Sequence, residues 1–169
     1  MRLFLLAALL LAMEIHGESK KPNIVLILID DLGLTDLQAF GGEIDTPNMD
    51  ALANEGMMFT NYHTTSECAP SRAMLLTGMD NHNTGLPMIP EVLPWKYHDT
   101  PGYEGYLRDD ALTIAEMLKP AGYKTYMTGK WHLAFGGRER AALPYNRGFD
   151  KTFILDATGG NNFNHHSYL

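Results

Sequence analysis

Residues Asn23 to Gly33 read NIVLILIDDLG, and the fold turns on how this stretch is taken. Ile24 to Ile29 is apolar without a break, rich in β-branched side chains, and bounded at once by two carboxylates and a glycine. Such a run suits a strand buried on both faces, as the central strands of parallel sheets are. Asp30 and Asp31 would then stand at the strand's C-terminal end, where open α/β sheets form their ligand crevice. DDLG also suits a plain turn, because Asp and Gly favour one in any context.

Working outward, TPNMDALANEG (Thr46 to Gly56) has a cap residue, a proline at the first helical position, apolar Met49, Leu52 and Ala53, and a closing glycine. It predicts a short helix. MMFTNYHT after it suits a further strand. DALTIAEMLKPAGY, from Asp110, spaces Ala111, Ile114, Ala115 and Leu118 on one helical face, with Asp109 or Asp110 as cap and Gly122 as stop. Tyr123 to Thr128 then reads as a strand, with Gly129, Lys130, Trp131 and His132 at its C-terminal end, which repeats the logic of the first strand. The proline-rich stretch from Gly85 to Pro101 reads as a surface loop.

The 169 residues suffice for one core, and 45% apolar with 20% charged residues excludes disordered and collagen-like classes. A net charge of −7 opposes a nucleic-acid partner, which would want a basic face. An anionic substrate therefore needs local cations. Arg2, the apolar run Leu3 to Met13 and the polar stretch to Gly17 have the layout of an export signal, too short to span a bilayer comfortably. A buried N-terminal helix is the alternative. The expected organisation is a signal over 1–17 and a catalytic portion over 18–169, exported to a periplasm or secreted, with no stable membrane partner.

Export puts Cys68, the only cysteine, where disulfides form, yet it has no partner in the chain. Cys68 to Gly78 reads CAPSRAMLLTG, with Pro70 suited to a first helical turn and Gly78 to a stop. At a helix N-terminus the unpaired amides and the dipole favour negative charge, which would activate a thiol or hold an anion. Arg72, four residues on, can share that side and offer charged donors to an oxyanion. A small buried cysteine is the other reading.

C-A-P-S-R followed by A-M-L-L-T-G resembles the signature of type I sulfatases, bacterial arylsulfatases in particular. PNIVLILIDDLG resembles that family's opening strand with its paired metal-binding aspartates, TPNMDALANEG its first helix, and AGYKTYMTGKWHLAF its G-K-W-H-L element. RGFDKTF and GGNNFNHH are also similar to family segments, so the likeness runs from about Lys21 to Leu169. The resemblance implies an α/β, alkaline-phosphatase-like sandwich, its mainly parallel central sheet flanked by helices and incomplete at the C-terminus. It implies a sulfuric ester hydrolase that uses Ca²⁺ and a formylglycine made from Cys68 by a formylglycine-generating or sulfatase-maturing enzyme. Carried over, Asp30 and Asp31 would bind the metal and Arg72 would stabilise the hydrated aldehyde. Lys130 would hold a sulfate oxygen, and His132 would serve the formylglycine hydroxyl in proton traffic. Hard carboxylates suit Ca²⁺, and cations stabilise charge on the sulfuryl group. A hydrated aldehyde would attack sulfur with one hydroxyl and expel sulfate by deprotonation of the other.

The family's later Asp, Asn, His and Lys have no counterpart here, and two carboxylates are too few for the six to eight oxygens Ca²⁺ takes. These residues alone are therefore expected to turn over sulfate esters poorly or not at all. Met79 and Ala134 also depart from the usual pattern, away from the chemistry. His63, His82 and His98 read as isolated surface residues, with His82 the best placed by context. His165 and His166 are substrate-rim candidates, and Lys96 and Arg108 solvated charges. Trp95 reads as a core or loop contact. A phosphonate or phosphodiester hydrolase of the same superfamily and a catalytically silent sulfate-ester binding module are the rival readings.

Overall fold

The computed structural model describes residues 21–97, 100–135 and 138–157. The expected signal over 1–17 and the residues His98, His165 and His166 lie outside them. Among the described residues no helix is long and apolar enough to cross a membrane. The chain divides into two units, residues 1–30 and 31–169.

In the first unit, residues 21–29 form no regular secondary structure. Val25 is 80% and Ile27 70% exposed. The central strand expected over Asn23 to Ile29 is thus not formed. A parallel strand exists through hydrogen bonds to its neighbours, and apolar pattern records a capacity for burial rather than the presence of a partner. The strand expected over MMFTNYHT is absent for the same reason, with Met57 and Phe59 well exposed.

The second unit holds α1 (Pro47–Glu55), α2 (Cys68–Thr77), α3 (Ile114–Leu118), β1 (Tyr126–Lys130) and β2 (Lys151–Leu155). Helix α1 has Thr46 as N-cap residue, a proline at its start and Gly56 as C-cap, as the sequence predicts. Helix α2 ends on Gly78 at φ 70°, a left-handed conformation that glycine enters without a Cβ penalty. Its 69, 72, 73, 76 face is buried, and Ala69, Ala73 and Leu76 join the core with Leu86, Leu107, Trp131, Leu133 and Ile154.

Helix α3 starts later and stops sooner than expected. Its cap is Thr113, not Asp109 or Asp110: the Thr113 hydroxyl accepts from Glu116 N at 3.2 Å, and Glu116 Oε2 accepts from Thr113 N at 2.7 Å. This reciprocal pair satisfies two end amides at once. The helix stops at Leu118: Lys119, its C-cap, still has helical backbone and donates to Ala115 O at 3.1 Å, but Pro120 has no N–H to continue the ladder. Asp110 instead pairs with Arg108 at 2.6 Å, so that Arg108 is a bridged charge and not a freely solvated one.

Strands β1 and β2 run parallel, with Tyr126 opposite Lys151 and Lys130 opposite Leu155. The ladder continues one step, because Trp131 N donates to Leu155 O at 2.8 Å. Trp131 is fully buried, donates from its indole to Ala142 O at 2.9 Å, and meets Phe149 edge-on. A second buried arginine locks the unit: Arg147 donates to the carbonyls of Leu107, Arg108 and Ala111 and pairs with Glu116 at 3.3 Å. The stretch expected as a surface loop is more ordered than that, with 3₁₀ turns at Pro90–Val92 and Trp95–Tyr97 and with Leu86 and Leu93 buried. Trp95, by contrast, is exposed.

Candidate active site

Cys68 is the first residue of α2, half-buried, directly after the N-cap residue Glu67. Thr65 and Ser71 brace this end: their hydroxyls are 2.7 Å apart, and the Ser71 hydroxyl donates to Glu67 O at 2.8 Å. The helix thereby presents its unpaired amides and positive dipole end beside the Cys68 side chain.

His132 follows β1 and meets Cys68: Nδ1 lies 3.4 Å from Sγ. Its side chain is fully buried and its backbone sits at φ 62°, in the left-handed region. A non-glycine residue stays there only when its neighbours over-determine it. Here they do. Trp131 N is tied to Leu155 O, Leu133 O accepts from Leu107 N at 2.8 Å, and the Asp156 carboxylate accepts from Leu133 N and Ala134 N at 2.9 and 3.1 Å. The turn that bends His132 back towards the helix is held on both sides.

Arg72, one turn along α2, is buried and donates from Nη1 to the carbonyl of Lys130 at 2.8 Å. Burial of a guanidinium is costly unless it is hydrogen-bonded, and this bond also ties the helix to the end of β1. The structure brings Cys68 and His132 into contact, and Arg72, one turn along the same helix, reaches the backbone of Lys130, two residues before His132.

Asp30 and Asp31 occupy a turn, both exposed, with Asp31 at φ 56°. The turn reading of DDLG is the one realised. No group of three or more His, Cys, Asp and Glu side chains among the described residues is arranged to hold a metal. Two carboxylates supply at most about four of the six to eight oxygens that Ca²⁺ requires. The described residues do not fit a complete calcium site.

His63 is exposed beside Asn61, and His82 stacks edge-on against Tyr103 while lying 3.7 Å from Asp80. Lys96 lies over the Tyr97 ring at 4.7 Å. None of these reaches Cys68 through a recorded contact. Two residues that sequence reasoning passed over do belong to the site. Glu91 receives His132 Nε2, at 3.0 and 3.2 Å from its two oxygens, and Asp156 anchors the turn after His132. Glu91 lies in a proline-rich stretch without periodicity, where no local signal marks it.

The sequence model of the sulfatase family matches residues 22–169, and the chain belongs to that family. An uncharacterised sulfatase of Schizosaccharomyces pombe is 47% identical over 156 residues, covering 90% of this chain and 28% of that protein. The arylsulfatase of Klebsiella aerogenes is 42% identical over 161 residues, covering 93% of this chain and 33% of its own. The crystal structure of Ps i-CgsB in complex with k-i-k-neocarrahexaose superposes with a TM-score of 0.63 at 34% identity, over 85% of this chain and 30% of that one. The chain therefore spans no more than 33% of the length of these relatives. The fold is α/β and alkaline-phosphatase-like, as the resemblance implies, with parallel strands and helices representing part of it.

Proposed function

We propose that this chain carries the nucleophile end of a sulfuric ester hydrolase of the arylsulfatase type, exported and matured at Cys68 to formylglycine by a separate enzyme. One observation carries the reading: residue 68 begins a helix, faces His132 Nδ1 at 3.4 Å, and has a buried arginine on the next turn. When formed, the hydrated aldehyde supplies two oxygens on one carbon, one to attack sulfur and one whose deprotonation lets sulfate leave.

The chain's own groups meet the needs of that chemistry. His132 Nδ1 takes and returns the proton of the group at position 68. The helix N-terminus and Arg72 stabilise negative charge at the same place, with their dipoles fixed beforehand by the Thr65, Ser71 and Lys130 hydrogen bonds. Lys130 is assigned a sulfate oxygen. Asp30 and Asp31 are assigned as carboxylate donors to Ca²⁺. The pair alone does not complete a coordination shell, so no step is routed through the ion.

The reading is tested by co-expressing the chain with a formylglycine-generating enzyme and assaying an aryl sulfate against an aryl phosphodiester. Aryl sulfate cleaved ahead of the diester, slowly but with loss in Cys68→Ala, is the expected result. Faster cleavage of the diester would favour a phosphodiester hydrolase. Identical rates in Cys68→Ala would overturn the catalytic assignment of residue 68.

A further inference from the structure

The proposed chemistry uses one ring nitrogen of His132, the Nδ1 that faces Cys68 Sγ at 3.4 Å. The other, Nε2, meets both carboxylate oxygens of Glu91, at 3.0 and 3.2 Å. The geometry points to Glu91 as a positioning residue of this site, holding His132 with its proton on Nε2 and with Nδ1 turned to residue 68. The inference rests on the role proposed for His132 and is independent of which ester is the substrate.

A carboxylate has lone pairs and no proton to give, so Nε2 must be the donor in this contact. A neutral imidazole then has its lone pair at Nδ1, aimed at residue 68. When the proton on the residue 68 side chain moves to Nδ1, the ring becomes a cation with the new anion on one side and the Glu91 carboxylate on the other. Glu91 keeps its charge throughout, and no other proton moves. The imidazole is fully buried, whereas the Glu91 side chain is 40% exposed, so a solvated carboxylate stabilises a ring that water does not reach.

The placement of Glu91 is built in. It lies in the 3₁₀ turn Pro90–Val92, whose first residue is buried and whose preceding residue, Ile89, donates its N–H to Glu67 Oε2 at 2.6 Å. Glu67 is the N-cap residue of α2, directly before Cys68. The segment bearing Glu91 is therefore fastened to the end of the helix that begins with Cys68. Three separate segments converge on one imidazole: α2, the 3₁₀ turn, and the exit of β1. Charged groups about the His132 turn include Glu91 on Nε2, Arg72, which holds the Lys130 carbonyl two residues before the ring, and Asp156, whose carboxylate accepts from Leu133 N and Ala134 N just after it.

The test uses the full chain with Cys68 unconverted, so that its outcome does not depend on sulfate ester turnover. Iodoacetamide alkylation of Cys68 is followed by mass spectrometry at neutral pH for the wild type, Glu91→Gln, His132→Ala and the double variant. Glu91→Gln is expected to slow alkylation roughly tenfold, the scale of one charge-assisted hydrogen bond. His132→Ala should slow it at least as much, and the double variant should be no slower than His132→Ala, because Glu91 acts only through the ring. Glu91→Asp, which keeps the charge but is too short to reach Nε2, should match Glu91→Gln. If Glu91→Gln destabilises the fold, Glu91→Asp carries the comparison. Wild-type alkylation in both Glu91 variants, or an equal further loss on the His132→Ala background, would overturn the inference. Failure of aryl sulfate turnover with this coupling intact would instead fault the proposed function.

Discussion

Cys68 and His132 are separated by 64 positions yet meet at 3.4 Å, whereas Asp30 and Asp31 are neighbours that lie exposed in a turn. The first pair is assembled by packing. Helix α2 buries its alanine face, Arg72 reaches the carbonyl of Lys130, and the turn after β1 is held by Leu107, Leu155 and Asp156. The second pair follows an apolar run that forms no strand, and among the described residues no group of three or more His, Cys, Asp and Glu side chains is arranged to hold a metal. A contact between one helix end and one strand end forms once those two elements pack. A metal site needs donors from several places at once, and adjacency in sequence does not supply them.

The buried scaffold behind Cys68 should fail first. Arg147→Met leaves three backbone carbonyls and Glu116 without their buried donor, and should cost about 3–5 kcal/mol in urea denaturation, as for breaking a buried charged network. A cost near zero would mean that the scaffold does not depend on this lock.

Two non-glycine residues with positive φ sharpen the contrast. His132→Gly relieves the backbone but removes a buried ring and its contacts to Cys68 and Glu91, for an expected net loss of about 2 kcal/mol. Asp31→Gly relieves similar strain at an exposed position and should be neutral or stabilising, by up to about 1 kcal/mol. Opposite signs for the two substitutions are the predicted outcome of equilibrium unfolding.

A smaller loss, about 1 kcal/mol, is expected for Thr113→Ala, which removes the cap of α3. The least effect concerns pH. The Lys119 ammonium bonded to Asp150, together with the Thr125 amide, holds the Asp150 carboxyl below the usual carboxylate range against a modest opposing effect of burial. The stability this adds is present above the unfolded-state carboxylate range and is lost as pH falls through the lowered native value. Lys119→Met should flatten that part of a stability-versus-pH curve while leaving Cys68 alkylation unchanged.

These contrasts also explain what the sequence made legible. Helices α1 and α2 were readable because their signals are local: Thr46 with Pro47, Pro70, and the glycines at 56 and 78 act within one turn of themselves. The end of β1 was readable to within two residues: the pattern stops the strand at Thr128, whereas pairing carries it through Gly129 and Lys130, with Trp131 and His132 following it. The start of that strand was not, because Thr125 accepts from and donates to the segment at Gly148 and Asp150, and pairing begins only at Tyr126 opposite Lys151. The cap at Thr113 carried a visible signal in its Thr-x-x-Glu spacing, which the nearer aspartates obscured. Glu91 and Asp156 carried none. Each acts on the His132 turn from a distance in sequence, and only tertiary packing determines which carboxylate arrives.

The central claim is that Cys68 does not remain a thiol, and the most direct measurement is the mass of the peptide spanning it after co-expression with a formylglycine-generating enzyme. The account predicts loss of the sulfur, gain of an aldehyde oxygen, and a product that a hydrazide reagent traps. A thiol throughout, while a control sulfatase peptide is converted in the same cells, would contradict it.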